Sequence, residues 1–214
     1  MIEDAQRILD YLPISRTPAE NNYIEHLWGA LCALESGAAN IRGFAMLPLH
    51  LLFLLAVQCR ILRVAQEQKD RYSLSITLKN PKDGQEEMLA PTSPFALAYF
   101  GESELADLCK IIELQKDGVG RIKKLIRYRN DSLAHASGYT ELNPEERLTE
   151  YLAVLEELQS KTLPLNDEIA TVWLRDRMPD DDLKEFVEIR LLGSYLCPAD
   201  FENGLLKRHF DIST

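Results

Sequence analysis

Between Gly43 and Cys59 the chain reads GFAMLPLHLLFLLAVQC, a run without one Asp, Glu, Lys or Arg. A stretch this apolar belongs either in a bilayer or at the centre of a helical bundle. Its length approaches the roughly 20 residues that a membrane span needs. Pro48 and His50 interrupt it, however, and it continues without a loop into Arg60, Arg63 and the polar tail QEQKD. These features favour a buried helix from Pro48 to about Lys69, apolar on nearly all sides and wrapped by other helices.

The rest of the chain supplies the wrapping. Ile2, Ala5, Ile8, Leu9 and Leu12 share one face of a short helix that Pro13 ends. In TPAE, Thr17 caps the next helix, Pro18 takes its first turn and Glu20 completes a capping box. Ile24, Leu27, Leu31 and Leu34 form its stripe, and Gly37 stops it. Further helices are expected over Glu102–Lys116, Val119–Ala134, Asn143–Ser160, Asn166–Arg177 and Asp180–Leu196, with a short one after Pro198. One segment breaks the pattern. YSLSITL, Tyr72 to Leu78, alternates polar and apolar, and QEEMLA follows the turn signal Asp83-Gly84. This predicts a small β-hairpin over about residues 72–90. The expected fold is all-α: a helical bundle over 1–160 with an inserted hairpin, and a C-terminal helical extension over 161–214 packed on it.

Charge is unevenly placed. The 214 residues carry a net charge of −10, which argues against a general nucleic-acid coat protein. Yet Lys116 to Arg129 holds six bases and one acid, whereas the chain from Glu141 onward holds 17 acids and 8 bases. A basic patch on an acidic body suits one locally held anion. Cys32, Cys59, Cys109 and Cys197 form no CxxC or CxxH pair, so no zinc site is expected. All four sit in apolar helical contexts and read as buried free thiols of a reducing compartment, the cytoplasm. Asp180, Asp181 and Asp182 read as favourable charge at a helix N-terminus. No P-loop, GxSxG or HExxH motif occurs, and no cofactor is expected. His50 reads as a core histidine with a hydrogen-bonding partner, His26 as locally paired with Glu25 or Asn22, and His209 as exposed.

The basic helix ends in IRYRNDSLAHASG. Helical phase puts Arg129 on the apolar stripe with Ile122, Leu125, Ile126 and Leu133, while Lys123, Lys124 and Arg127 fall elsewhere. An arginine on a buried stripe needs a partner. Either an internal carboxylate meets it, or it lines a cleft that receives an anion. His135 lies about 600° further along an unbroken helix, so the two side chains point about 120° apart. A helix break near Ser137-Gly138, or a second copy of the chain, would bring them together.

RNDSLAH, Arg129 to His135, resembles the signature of the HEPN superfamily, all-α bundles whose motif is an arginine, a polar residue, a short spacer and a histidine. The five residues between Arg129 and His135 fall within the family's spacing, and the polar position is Asn130. The resemblance in arrangement spans roughly Asn21 to Gln159. It implies metal-independent RNA cleavage, as in family toxins, tRNA-cleaving abortive-infection proteins and type VI CRISPR effectors. The ribose 2′-OH would attack the adjacent phosphorus and leave a 2′,3′-cyclic phosphate. His135 would serve as general acid or base, Arg129 would hold the phosphate, and Asn130 would orient either. Lys123, Lys124 and Arg127 would guide the RNA backbone, and Tyr128 would stack on a base or pack in the core. The family implies a homodimer with a composite site, and restraint by an antitoxin, sensor or larger defence assembly is expected from the chemistry. Family members regulated by tyrosine modification carry a tyrosine two residues after the histidine; Ser137 stands there. Two other functions remain open: a non-catalytic HEPN-like dimerisation or nucleotide-binding module, and a helical adaptor for a protein partner.

Overall fold

The computed structural model describes residues 2–14, 16–77, 82, 85–131, 144–175 and 195–200. Among them every regular element is helical. In chain order these are α1 (Ile2–Gln6), α2 (Pro18–Glu35), α3 (Ala39–Arg42), α4 (Met46–Glu67), α5 (Lys69–Ile76), α6 (Glu102–Leu108), α7 (Lys116–Arg129), α8 (Pro144–Arg175) and α9 (Pro198–Asp200). Short 3-10 turns link several of them.

The apolar run forms α4, and α4 is the axis of the molecule. It packs against α2, α5 and α8, and against the turn Pro94–Tyr99. By length and composition it resembles a membrane span, but 83% of its most apolar window is buried inside the protein. Pro48 does not interrupt it, because Pro48 lies in the first turn, where a helix has no use for that N–H. The capping box of α2 forms as expected: the Glu20 amide donates to Thr17 Oγ1 at 3.3 Å, and the Thr17 amide donates to Glu20 Oε2 at 2.9 Å.

Among the described residues of 72–90 the expected hairpin has no strand. Lys69–Ile76 is helix, and Glu86–Leu89 is a 3-10 turn. The alternation of Tyr72, Leu74 and Ile76 fits a strand, but Tyr72 and Ile76 also stand four apart. That spacing puts both on one helix face, and both are buried, while Leu74 is 77% exposed. The Ser75 and Thr77 hydroxyls donate to the carbonyls of Arg71 and Ser73, four residues back, a bond that helix geometry allows. Tyr72 meets the returning segment through its side chain: its hydroxyl donates to the Met88 carbonyl at 2.6 Å.

The expected break after Ser160 is also absent. α8 continues through Pro164 to Arg175. Buried Leu158, Thr162 and Leu163 lock this region to the body and offset the hydrogen bond that Pro164 removes. Residues 195–200 return to the core. The Tyr195 hydroxyl donates to Glu20 Oε1 at 3.1 Å, so the capping glutamate of α2 also anchors this segment. Asp200 is fully buried against Arg60 of α4, with Arg60 Nη1 at 3.2 and 3.1 Å from its two oxygens. Cys59, Cys109 and Cys197 are buried free thiols, and Cys32 is half-buried. Burial pushes the Cys197 thiol up to about 12, which keeps it a neutral acceptor for Arg60 Nη2.

Candidate functional site

α7 carries its apolar face as expected. Val119, Ile122, Leu125 and Ile126 are buried, and the helix reaches Arg129 before passing into a wider turn at Asn130 and Asp131. Arg129 stays on the buried side, only 15% exposed. The carboxylate alternative is the one realised: Arg129 Nη2 donates to Glu102 Oε1, from the first residue of α6. Its Nε is buried and has no hydrogen-bond partner among the described residues.

Glu102 faces a second group. Its Oε2 lies 3.6 Å from Nε2 of His50, an ion-pair distance rather than a hydrogen bond. His50 has no exposed surface, and its Nδ1 is 2.8 Å from the Tyr151 hydroxyl of α8. The Phe53 ring closes the pocket, with its centroid 4.7 Å from that of Tyr151. Four helices, α4, α6, α7 and α8, therefore each contribute a side chain to this cluster. Burial pushes the His50 imidazole below its ordinary value, and the Arg129 charge adds to this against the opposing pull of Glu102. Burial alone would raise the Glu102 carboxyl; His50 and Arg129 together outweigh it and hold it below the ordinary carboxylate range.

The sign of the resulting pH dependence is fixed. The unfolded chain protonates His50 near 6.5, and the folded chain does so only at lower pH. This contribution to stability is complete above about 6.5 and is lost as pH falls below it. For one proton the slope is at most about 1.4 kcal/mol per pH unit. Urea unfolding of wild type and His50→Phe between pH 7.5 and 5 is expected to show a shallower acid slope in the variant.

No family model, curated protein or solved structure matches this chain. The site therefore has to be read from its own side chains.

The basic patch is largely compensated. Lys123 Nζ lies 2.6 Å from Asp107 Oδ2, Lys124 Nζ lies 3.6 Å from Glu150 Oε1, and Arg121 pairs with Glu157. Arg127 is exposed and makes no ion pair among the described residues. Tyr128 is half-buried against the core, with the Arg147 guanidinium 3.9 Å above its ring centre, so one ring face is covered. Asn130 is half-buried at the end of α7. His135, Ser137, His209 and Asp180–Asp182 lie outside the described residues. His26 pairs locally through Nδ1 with the Asn22 carbonyl at 2.7 Å. A surface cleft of about 510 Å³ beside α5, lined in part by Lys69, Tyr72 and Thr92, contains none of the candidate residues.

Two members of the cluster have no mark in the sequence. Glu102 reads as an ordinary acid at a helix start, and Tyr151 as one core tyrosine among others. His50 did carry a signal: a histidine inside an apolar helix needs a polar partner.

Proposed function

We propose that this chain is a metal-independent endoribonuclease of the HEPN type. The observation that carries the proposal is the state of Arg129. It is a cation on the apolar face of α7, anchored by one carboxylate through Nη2 and still 15% exposed. Such a guanidinium is oriented yet keeps donors for a phosphate. In this reading the 2′-OH of RNA attacks the adjacent phosphorus. Arg129 steadies the phosphate charge, His135 transfers the proton, and Asn130 orients one of them. The products carry a 2′,3′-cyclic phosphate and a 5′-OH, and DNA is inert because it lacks the 2′-OH. The active form is a homodimer with a composite site. It acts in the cytoplasm in stress response or antiphage defence, restrained by an antitoxin, a sensor subunit or a larger assembly.

The Glu102 pair also favours a second reading, in which Arg129 is structural and the chain is a non-catalytic dimerisation or nucleotide-binding module. One assay separates the two. The purified protein is incubated with RNA in EDTA. Cleavage to cyclic phosphate ends, lost in His135→Ala, is the result expected of the ribonuclease. If RNA stays intact even with the products of neighbouring genes added, the second reading stands.

A further inference from the structure

We propose that Glu102 and His50 are positioning residues for Arg129, with the Tyr151 hydroxyl setting the histidine tautomer. Where the inference concerns RNA cleavage, it rests on the reading just given.

The cluster is costly by packing logic. His50 has no exposed surface and sits beside Phe53 and Tyr151. An apolar side chain there would bury no polar atom, whereas His50 leaves Nε2 without a hydrogen bond. The sole carboxylate within ion-pair range of that nitrogen among the described residues is Glu102. The groups facing His50 are thus Glu102 from α6, Arg129 from α7 and Tyr151 from α8.

A consistent proton arrangement follows. If Tyr151 donates its O–H to Nδ1, the ring proton occupies Nε2 and points at Glu102 Oε2. The other oxygen, Oε1, accepts from Arg129 Nη2. The carboxylate is thus bonded to Arg129 through one oxygen and faces the His50 ring at 3.6 Å through the other, and its plane orients the guanidinium. Without His50 behind it, Glu102 is a 30% exposed side chain placed by Arg129 alone, and the pair can shift together to another rotamer. Arg129 would then lose its orientation while keeping its charge. The same chain links anion binding to protonation: burial chiefly keeps His50 neutral and the Arg129 charge adds to it, so an anion on Arg129 offsets that second part and favours proton uptake by His50.

The test uses two variants that keep the shape of the site, Tyr151→Phe and Glu102→Gln. The first readout is nitrogen NMR of the full-length protein and does not depend on activity. In wild type, His50 is expected as the Nε2–H tautomer, with a restrained Arg129 Nε–H signal. Tyr151→Phe is expected to mix the tautomers. Glu102→Gln is expected to lower the His50 titration midpoint and to broaden the Arg129 signal. The second readout is RNA cleavage, with affinity measured on a 2′-deoxy-substituted oligonucleotide that cannot react. Glu102→Gln is expected to lower kcat about tenfold to a hundredfold, the scale of misplacing a reacting group, with little change in affinity. An unchanged His50 tautomer, His50 titration and Arg129 signal in these variants would overturn the proposal whatever cleavage does. Wild-type rates in both folded variants would overturn it as well. If wild type cleaves nothing, the ribonuclease reading fails and the NMR outcome alone decides the positioning role.

Discussion

Asp200→Ala is expected to destabilise the protein by about 3–5 kcal/mol, the cost of leaving a buried charge without its partner. Arg60 is 2% exposed at the middle of the central helix, and Asp200 is its carboxylate. Truncation removes both hydrogen bonds to Arg60 Nη1 and the acceptor of the Cys197 amide, which lies 2.9 Å from Asp200 Oδ2. The Arg60 Nε already lacks a partner, so the helix has little else to offer the cation. Gln159 keeps its bond to the Ala199 carbonyl at 3.2 Å and Tyr195 its bond to Glu20, but neither supplies Arg60 with a carboxylate. Urea unfolding measures the effect. Replacing both partners, Arg60→Met with Asp200→Leu, is expected to cost far less, because no orphan charge remains. A loss below about 1 kcal/mol in Asp200→Ala, the scale of an exposed pair, would mean that water reaches Arg60.

Arg129→Ala is expected to lower kcat/KM for RNA cleavage by about a hundredfold to a thousandfold, the range for removing one donor that stabilises transition-state charge. Arg129→Lys is expected to recover little. A lysine ammonium is a point charge and cannot bind Glu102 and a phosphate oxygen together in the planar fork of a guanidinium. The Ala variant also leaves Glu102 facing only the His50 imidazole among the described residues at this position. The His50 imidazole is then expected to titrate at higher pH than in wild type, because a depressing charge is gone and an attracting one remains. Steady-state kinetics and an NMR titration of the same variant test both halves. Cleavage at the wild-type rate in Arg129→Ala would remove the arginine from the reaction.

The legible parts of this fold rest on local patterns. The α2 cap follows from Thr17 and Glu20 three residues apart, and the core role of α4 from a long run without charge. The stripe of α7 follows from spacing alone, including the position of Arg129 among apolar neighbours. The segment after Tyr72 is ambiguous in sequence, because Tyr72, Leu74 and Ile76 satisfy a period of two and also place Tyr72 and Ile76 one helical turn apart. Nothing local decides between the two; the buried bond from Tyr72 to the Met88 carbonyl and the exposure of Leu74 do. The acidic partners of the basic patch are hidden from the sequence for a related reason. A count of bases along α7 is blind to Asp107, Glu150 and Glu157, which approach from α6 and α8.

Order along the chain determined that this protein is helical, that Gly43–Cys59 lies at its centre, and that Arg129 needs a partner. Those properties depend on periodicity within one helix and on the cost of burying charge. Only tertiary structure decided who the partners are. Arg129 meets Glu102 from 27 positions away, His50 meets Tyr151 from 101, and Arg60 meets Asp200 from 140. Each pair forms because separate helices pack side by side, and packing of that kind leaves no local trace of which residue the partner is.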